Sequence, residues 1–180
     1  DDKNYPARNM PWDNFVSAAA CASAWEALKE EDPHLADQIL RLGETDWQFA
    51  VDELGERDVD ISGGGGLASI QLYNATGKEK YLEKAIEFAD VISSSQQKTF
   101  TDWDIPLTGF LYNTPEKEQC LRYNPRSQMH CPAMTCAMLC DAAPDHPKWM
   151  EWYGFVVRYS EYLKSVSEYT QPYGMIPSSI

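Results

Sequence analysis

Three stretches of the chain lack Asp, Glu, Lys and Arg altogether, and the stretches that follow them are rich in all four. FVSAAACASAW (15–25), GGGGLASIQLY (63–73) and CPAMTCAMLC (131–140) are uncharged and dominated by small residues. In the intervening segments apolar residues recur every three or four positions among charged ones, the signature of a helix with one buried side. Ala36, Leu40, Gly43, Trp47, Ala50 and Leu54 make one such stripe, amid Asp37, Arg41, Glu44, Asp46, Asp52 and Glu53. Tyr81, Ala85, Phe88, Ala89 and Ile92 make a second, and Trp149, Trp152, Val156, Tyr159, Leu163 and Val166 a third. Strand-like alternation is almost absent, so the pattern predicts an all-α chain of six helices.

Glycine and proline set the boundaries. The first helix is expected over about 13–30, with Pro11 and Trp12 leading in and Asp13 as its N-cap. Asp32-Pro33, a cap followed by proline in the first turn, starts a second helix that stops before Gly55. A third is expected over 64–75, closed by Gly77 at the left-handed C-terminal position, with a fourth directly after it. An irregular stretch, 97–128, precedes a fifth helix at 131–141, and the sixth starts near Pro147. The connections EEDPH, ATGKEK and AAPDHP are short, which makes the members of each pair antiparallel neighbours. A helix apolar all round must be buried all round, whereas an amphipathic one faces water. The uncharged helices therefore form an inner layer and the charged ones an outer layer. The expected fold is three antiparallel helical hairpins in two layers, a partial (α/α)6 toroid, with residues 1–180 as a single domain.

The four consecutive glycines, Gly63 to Gly66, invite a phosphate-binding reading, which the sequence excludes. A P-loop needs Lys and Ser/Thr after the last glycine, and Leu67-Ala68 stand there. A dinucleotide fingerprint needs a preceding strand, and none is evident. Two readings stay open: glycines that let neighbouring backbone and side chains approach closely, or glycines that let a ligand approach.

A hydrophobic fraction of 43% and an aromatic fraction of 12% support a folded core over 180 residues. The net charge of −13, with no Lys/Arg-rich segment, argues against nucleic acid, whose backbone calls for a basic surface. The longest uncharged stretch, 61–77, is too polar and short for a membrane span. Five cysteines make no disulfide framework. Cys131, Cys136 and Cys140 with His130 could suggest zinc, but no CxxC knuckle is present, and reduced cysteines acting as small hydrophobes are the expected state. No metal or cofactor is expected.

Two segments carry a resemblance. NFVSAAACASAWEALKEEDPHLADQILRLGETDWQF (14–49) resembles the helix pair of glycoside hydrolase family nine, the endoglucanase-like group of six-hairpin toroid glycosidases. LASIQLYNATGKEKYLEKAIEFA (67–89) looks like the following hairpin of that family, with its ATG-x-x-x-YL turn. The likeness covers residues 11–92; the rest is similar in architecture alone. It implies a carbohydrate partner, acid/base hydrolysis of glycosidic bonds, and a secreted or periplasmic location. The family's Asp-Ala-Gly-Asp base motif and its C-terminal His-Arg and acid Glu segments are not found, so no catalytic pair carries over. Three hairpins are half of a six-hairpin toroid. The resemblance thus implies part of a larger catalytic domain, with self-association or further segments of the polypeptide covering the inner helices.

On that reading, the loops entering the inner helices hold the informative residues, because they converge at one end. They carry Tyr5, Arg8, Trp12 and Asp13, then Asp58 and Asp60, then Asp102 to His130, and finally Tyr173. TDWDIPLTGFLY (101–112) is the richest, a tryptophan between two aspartates in a non-helical stretch, suited to stacking on a sugar ring beside hydroxyl-binding carboxylates. The expected substrate-binding set is Trp12, Trp103, Asp104, Tyr112, Tyr123, Arg126, His130 and Tyr173. The competing reading is a non-catalytic helical-repeat domain that binds a protein partner on its concave face.

Overall fold

The computed structural model describes residues 9–122 and 129–176. Six helices follow one another: α1 (Pro11–Leu28), α2 (Pro33–Asp52), α3 (Val59–Thr76), α4 (Glu79–Ser94), α5 (Cys131–Ala142) and α6 (Trp149–Tyr169). The all-α expectation holds. Between α4 and α5 the described residues form two isolated antiparallel bridges, Gln96 with Leu111 and Tyr112 with Cys120.

Helix ends follow local chemistry, with two departures from expectation. Asp32 caps α2, its carboxylate accepting from the Leu35 N–H at 3.0 Å. Gly77 closes α3 in the left-handed conformation at φ 67°. Helix α1, however, begins at Pro11 with Met10 in the cap position, which places Asp13 in the first turn and not at the cap. Proline's fixed φ suits the first helical position, and that preference displaces the later Asp signal. Helix α3 begins at Val59, a full turn before the glycines, because the Asp58 side chain caps it by accepting from Ile61 N–H at 2.7 Å. The four glycines are thus interior helix residues.

Within each hairpin the helices run antiparallel. Ser17 bonds Asp46 at 2.6 Å, and one turn on Cys21 faces Gly43. The odd helices instead run parallel and side by side: Trp12 meets Gly64 and Ser23 bonds Gln71, while Pro132 meets Gly63 and Thr135 meets Gly66. Their N-termini accordingly share one end of the molecule. The chain returns to that end through α4 and α6, which bring the 95–122 segment and the end of α6 there.

The quartet accounts for this close layer. A methyl group added at Gly63 would lie 2.7 Å from Pro132 Cδ of α5, and one at Gly64 would lie 2.5 Å from the Trp12 ring of α1. At Gly65 it would sit 2.6 Å from the Phe88 ring of α4, and at Gly66 it would overlap Thr135 Cγ2 of α5. All four glycines are buried. Protein atoms occupy the space on every side, so close packing is the reading the geometry supports; ligand approach has no room.

Polarity sorting succeeds best for α3, the middle helix of the row, which buries Ser62 to Gly66, Ala68 to Ile70 and Leu72, leaves Leu67, Gln71 and Tyr73 half-buried and exposes Asn74. Helix α1 buries Phe15, Ala18 and Ala22 but leaves Ala20, Ser23 and Ala27 exposed. Helix α5 buries Pro132, Thr135, Cys136 and Leu139 but leaves Ala137 exposed and Met134 40% exposed. The expectation of burial on every side is corrected for these two helices, since a row of three has two open flanks. On the outer helices the stripes face inward as expected, with Phe155 and Tyr162 of α6 more deeply buried than Trp149, Val156 and Leu163.

A polar pin ties the first two hairpins together. Tyr81 donates to Glu44 at 2.7 Å, and Lys78 bonds the same carboxylate oxygen. Burial opposes ionisation of Glu44, but these two bonds outweigh it and hold the carboxyl below its ordinary range. A carboxyl lowered by folding contributes stability above its unfolded pKa, near 4.3, and loses that contribution as pH falls through the folded value. Tyr81→Phe is expected to cost about 1 kcal/mol in urea unfolding at neutral pH. Glu44→Gln is expected to flatten the acid limb of a stability profile measured from about pH 5 downwards.

Candidate functional site

The 95–122 segment is anchored by one amide. Gln96 is fully buried; its Nε2 donates to the carbonyls of Gly109 and Phe155, both at 3.1 Å, and its Oε1 accepts from Arg158 Nε at 2.8 Å. All the side chain's principal hydrogen-bonding capacity is therefore met inside the protein, as a buried amide requires. Beyond it, Thr101 closes a turn: its N–H donates to the Leu107 carbonyl at 2.9 Å, and its hydroxyl accepts from the Leu107 N–H at 3.0 Å. That turn presents Asp102 to Pro106.

Phe110 fixes the turn from behind. It is almost wholly buried, with Trp103 stacked on it at 5.3 Å and 24°, Tyr112 at 5.2 Å and Tyr162 at 6.0 Å. Trp103 nevertheless stays 40% exposed. Between the turn and the last turn of α6 lies a cleft of about 390 Å³ lined by Trp103, Asp104, Ile105, Leu107, Val166, Tyr169 and Thr170. A volume in the few-hundred Å³ range, apolar walls and few polar groups are the features of a small-molecule site. Thr170 spends its hydroxyl on the backbone, the Met175 carbonyl among its partners, so among the lining residues Asp104 offers a carboxylate and Tyr169 a phenol to a ligand.

The predicted set divides accordingly. Trp103 and Asp104 come together in the cleft. Tyr112 lies behind it, half-buried beside Phe110, with burial and then Cys120 pushing its phenol pKa up. Trp12 belongs to the first turn of α1, with its ring against Gly64. His130 is exposed at the residue preceding α5. Tyr173 is 82% exposed, just beyond α6, and does not line the cleft. Tyr123 and Arg126, like Tyr5 and Arg8, lie outside the described residues. Tyr169 and Val166 are additions that the stripe on α6 did not single out as site residues.

One carboxyl stands apart electrostatically. Asp60, in the first turn of α3, is half-buried; burial first and then the neighbouring Asp58 push its pKa up. The same burial, with Asp60 contributing, raises the Cys131 thiol to about 11. A carboxyl raised by folding favours the folded state while it stays protonated and loses that benefit as pH rises through its folded pKa. Asp60→Asn is therefore expected to raise the melting temperature at pH 7 relative to the parent, with the gain vanishing below about pH 4, where both carry a neutral group.

All five cysteines are free, and among the described residues no group of three or more His, Cys, Asp or Glu is placed to hold a metal ion. No helix among those residues is long and apolar enough to cross a membrane. Compared with models of known protein families and with curated proteins, the sequence matches none.

Proposed function

We propose that this chain is a three-hairpin section of an (α/α) toroid protein that binds a polysaccharide or oligosaccharide, and that the intact protein hydrolyses glycosidic bonds by acid/base chemistry. The observation that carries the reading is the shared end of the parallel inner helices, at which the Trp103–Asp104 cleft lies. An indole face beside a carboxylate suits a pyranose, whose apolar C–H face stacks while its hydroxyls donate. Inverting hydrolysis calls for two carboxyls about 6.5–9.5 Å apart. In this reading Asp104 serves binding, and the acid/base pair is completed by other parts of the intact protein.

Titration of the chain with β-1,4-linked gluco-oligosaccharides, followed by tryptophan fluorescence and by product analysis, tests the proposal. The expected result is weak, millimolar binding with no turnover, lost on Trp103→Ala. Binding that survives Trp103→Ala unchanged would contradict the site, and turnover abolished by Asp104→Asn would contradict its assignment to binding alone.

A second reading, a helical-repeat domain that binds a protein partner, is favoured by one observation. The open flanks of α1 and α5 expose uncharged residues, Ala20 and Ala27 on one and Met134 and Ala137 on the other. Under that reading Trp103→Ala leaves every binding activity intact, while Ala20→Glu or Ala137→Glu removes it.

A further inference from the structure

The cleft has a charge character that narrows its ligand. Its walls are mainly aromatic and aliphatic; among the described residues Asp104 is the one ionic side chain that lines it, and no Lys or Arg does. Arg158 of α6 bonds Gln96, Lys164 of α6 lies beside Glu161, and Lys148, just before α6, pairs with Asp90. The chain as a whole carries −13, a field that draws cations toward any concave surface and repels anions. Trp103 and Tyr169 add electron-rich ring faces, which attract an ammonium group directly.

We infer that the cleft takes an amino sugar with a free, protonated amine: the pyranose C–H face lies on Trp103 and the ammonium group pairs with the Asp104 carboxylate. This rests on the carbohydrate reading above and goes beyond it by naming the sugar class. An amine in this position gains a charge-assisted hydrogen bond that a hydroxyl cannot match, and a uronate meets Asp104 with like charge and no cation to offset it.

Three oligosaccharides of equal length and the same β-1,4 linkage isolate the effect: glucosamine, N-acetylglucosamine and glucose oligomers, titrated in mildly acidic, low-salt buffer. The glucosamine oligomer is expected to bind about tenfold tighter than either neutral one, a preference set by one charge pair near the surface. Asp104→Asn is expected to abolish that preference, so that within the variant the glucosamine oligomer binds no tighter than the glucose oligomer, and raising salt to about 0.5 M is expected to shrink the preference in the parent. Asp104 is exposed, so its substitution leaves the fold in place. Equal binding of all three oligomers, or a preference that survives Asp104→Asn, overturns the inference while the carbohydrate reading stands. Failure of all three to bind overturns both.

Discussion

Replacing Gly66 by alanine is expected to destabilise the protein by roughly 2 kcal/mol, although the same change in an isolated helix stabilises it by about 1 kcal/mol. The sign reverses because the added methyl group has nowhere to go. It overlaps Thr135, which is buried, stiff at χ1 as a β-branched residue, and tied by its hydroxyl to the Gly63 carbonyl at 3.0 Å. Gly63→Ala meets the Pro132 ring at 2.7 Å and its backbone nitrogen at 2.9 Å, neither of which can rotate away, and is expected to cost as much. At Gly64→Ala the nearest atoms belong to the half-buried Trp12 ring, a side chain that can tilt outward, so its cost is expected to fall below about 1 kcal/mol. Gly55→Ala is the control: nothing lies within 4 Å of a methyl group there, and it is expected to change stability by less than about 0.5 kcal/mol. Urea midpoints at constant m-value measure the series. Equal effects at positions 55, 64 and 66 would show that the glycines are not there for packing.

The second large effect is expected at Gln96. Gln96→Leu keeps the volume but removes two donors and an acceptor, leaving the Gly109 carbonyl and the Arg158 guanidinium without the partners they have now. Each buried group so orphaned costs about 1–3 kcal/mol, so a total loss of roughly 3 kcal/mol is expected in urea unfolding. The site suffers as well, because Gln96 holds the base of the segment that carries Trp103. Oligosaccharide binding is expected to fall below detection in this variant at temperatures where the helices remain folded by circular dichroism. Gln96→Glu separates the parts: its carboxylate can still accept from Arg158 but cannot donate to the two carbonyls, so it too is expected to unfold more easily at neutral pH. Wild-type stability and binding in Gln96→Leu would show that the segment is held by its aromatic residues alone.

The sequence carried the helices better than their starts, and the reasons are physical. Asp32-Pro33 and Thr76-Gly77 were legible because each signal is local: a side chain capping its own helix, and a residue without a Cβ adopting positive φ. The start of α3 was displaced because glycine is a poor helix former in isolation, so four in a row read as a boundary. Tertiary contact overrides that preference once Trp12, Phe88, Pro132 and Thr135 close around them. At α1, two competing signals two positions apart, Pro11 and Asp13, were present, and proline's rigidity decided between them.

The site was half legible for a similar reason. A tryptophan flanked by aspartates in a non-helical stretch is unusual enough to notice, and Trp103 and Asp104 do share a cleft. Tyr169 and Val166 sit on α6, more than sixty positions further along the chain, and reach that cleft only because α6 returns antiparallel to α5. No local pattern encodes that meeting. Phe110, on which the turn rests, reads in the sequence like any other core phenylalanine.

The central claim is that the glycine run of α3, Gly63 to Gly66, is enclosed by α1, α4 and α5. Amide hydrogen exchange across α3 tests it most directly. The amides of 63–72 are expected to exchange last in the molecule, at the rate of global unfolding, and well after those of α2. Exchange in α3 as fast as in α2, with its outer face in water, would contradict the architecture and the site built upon it.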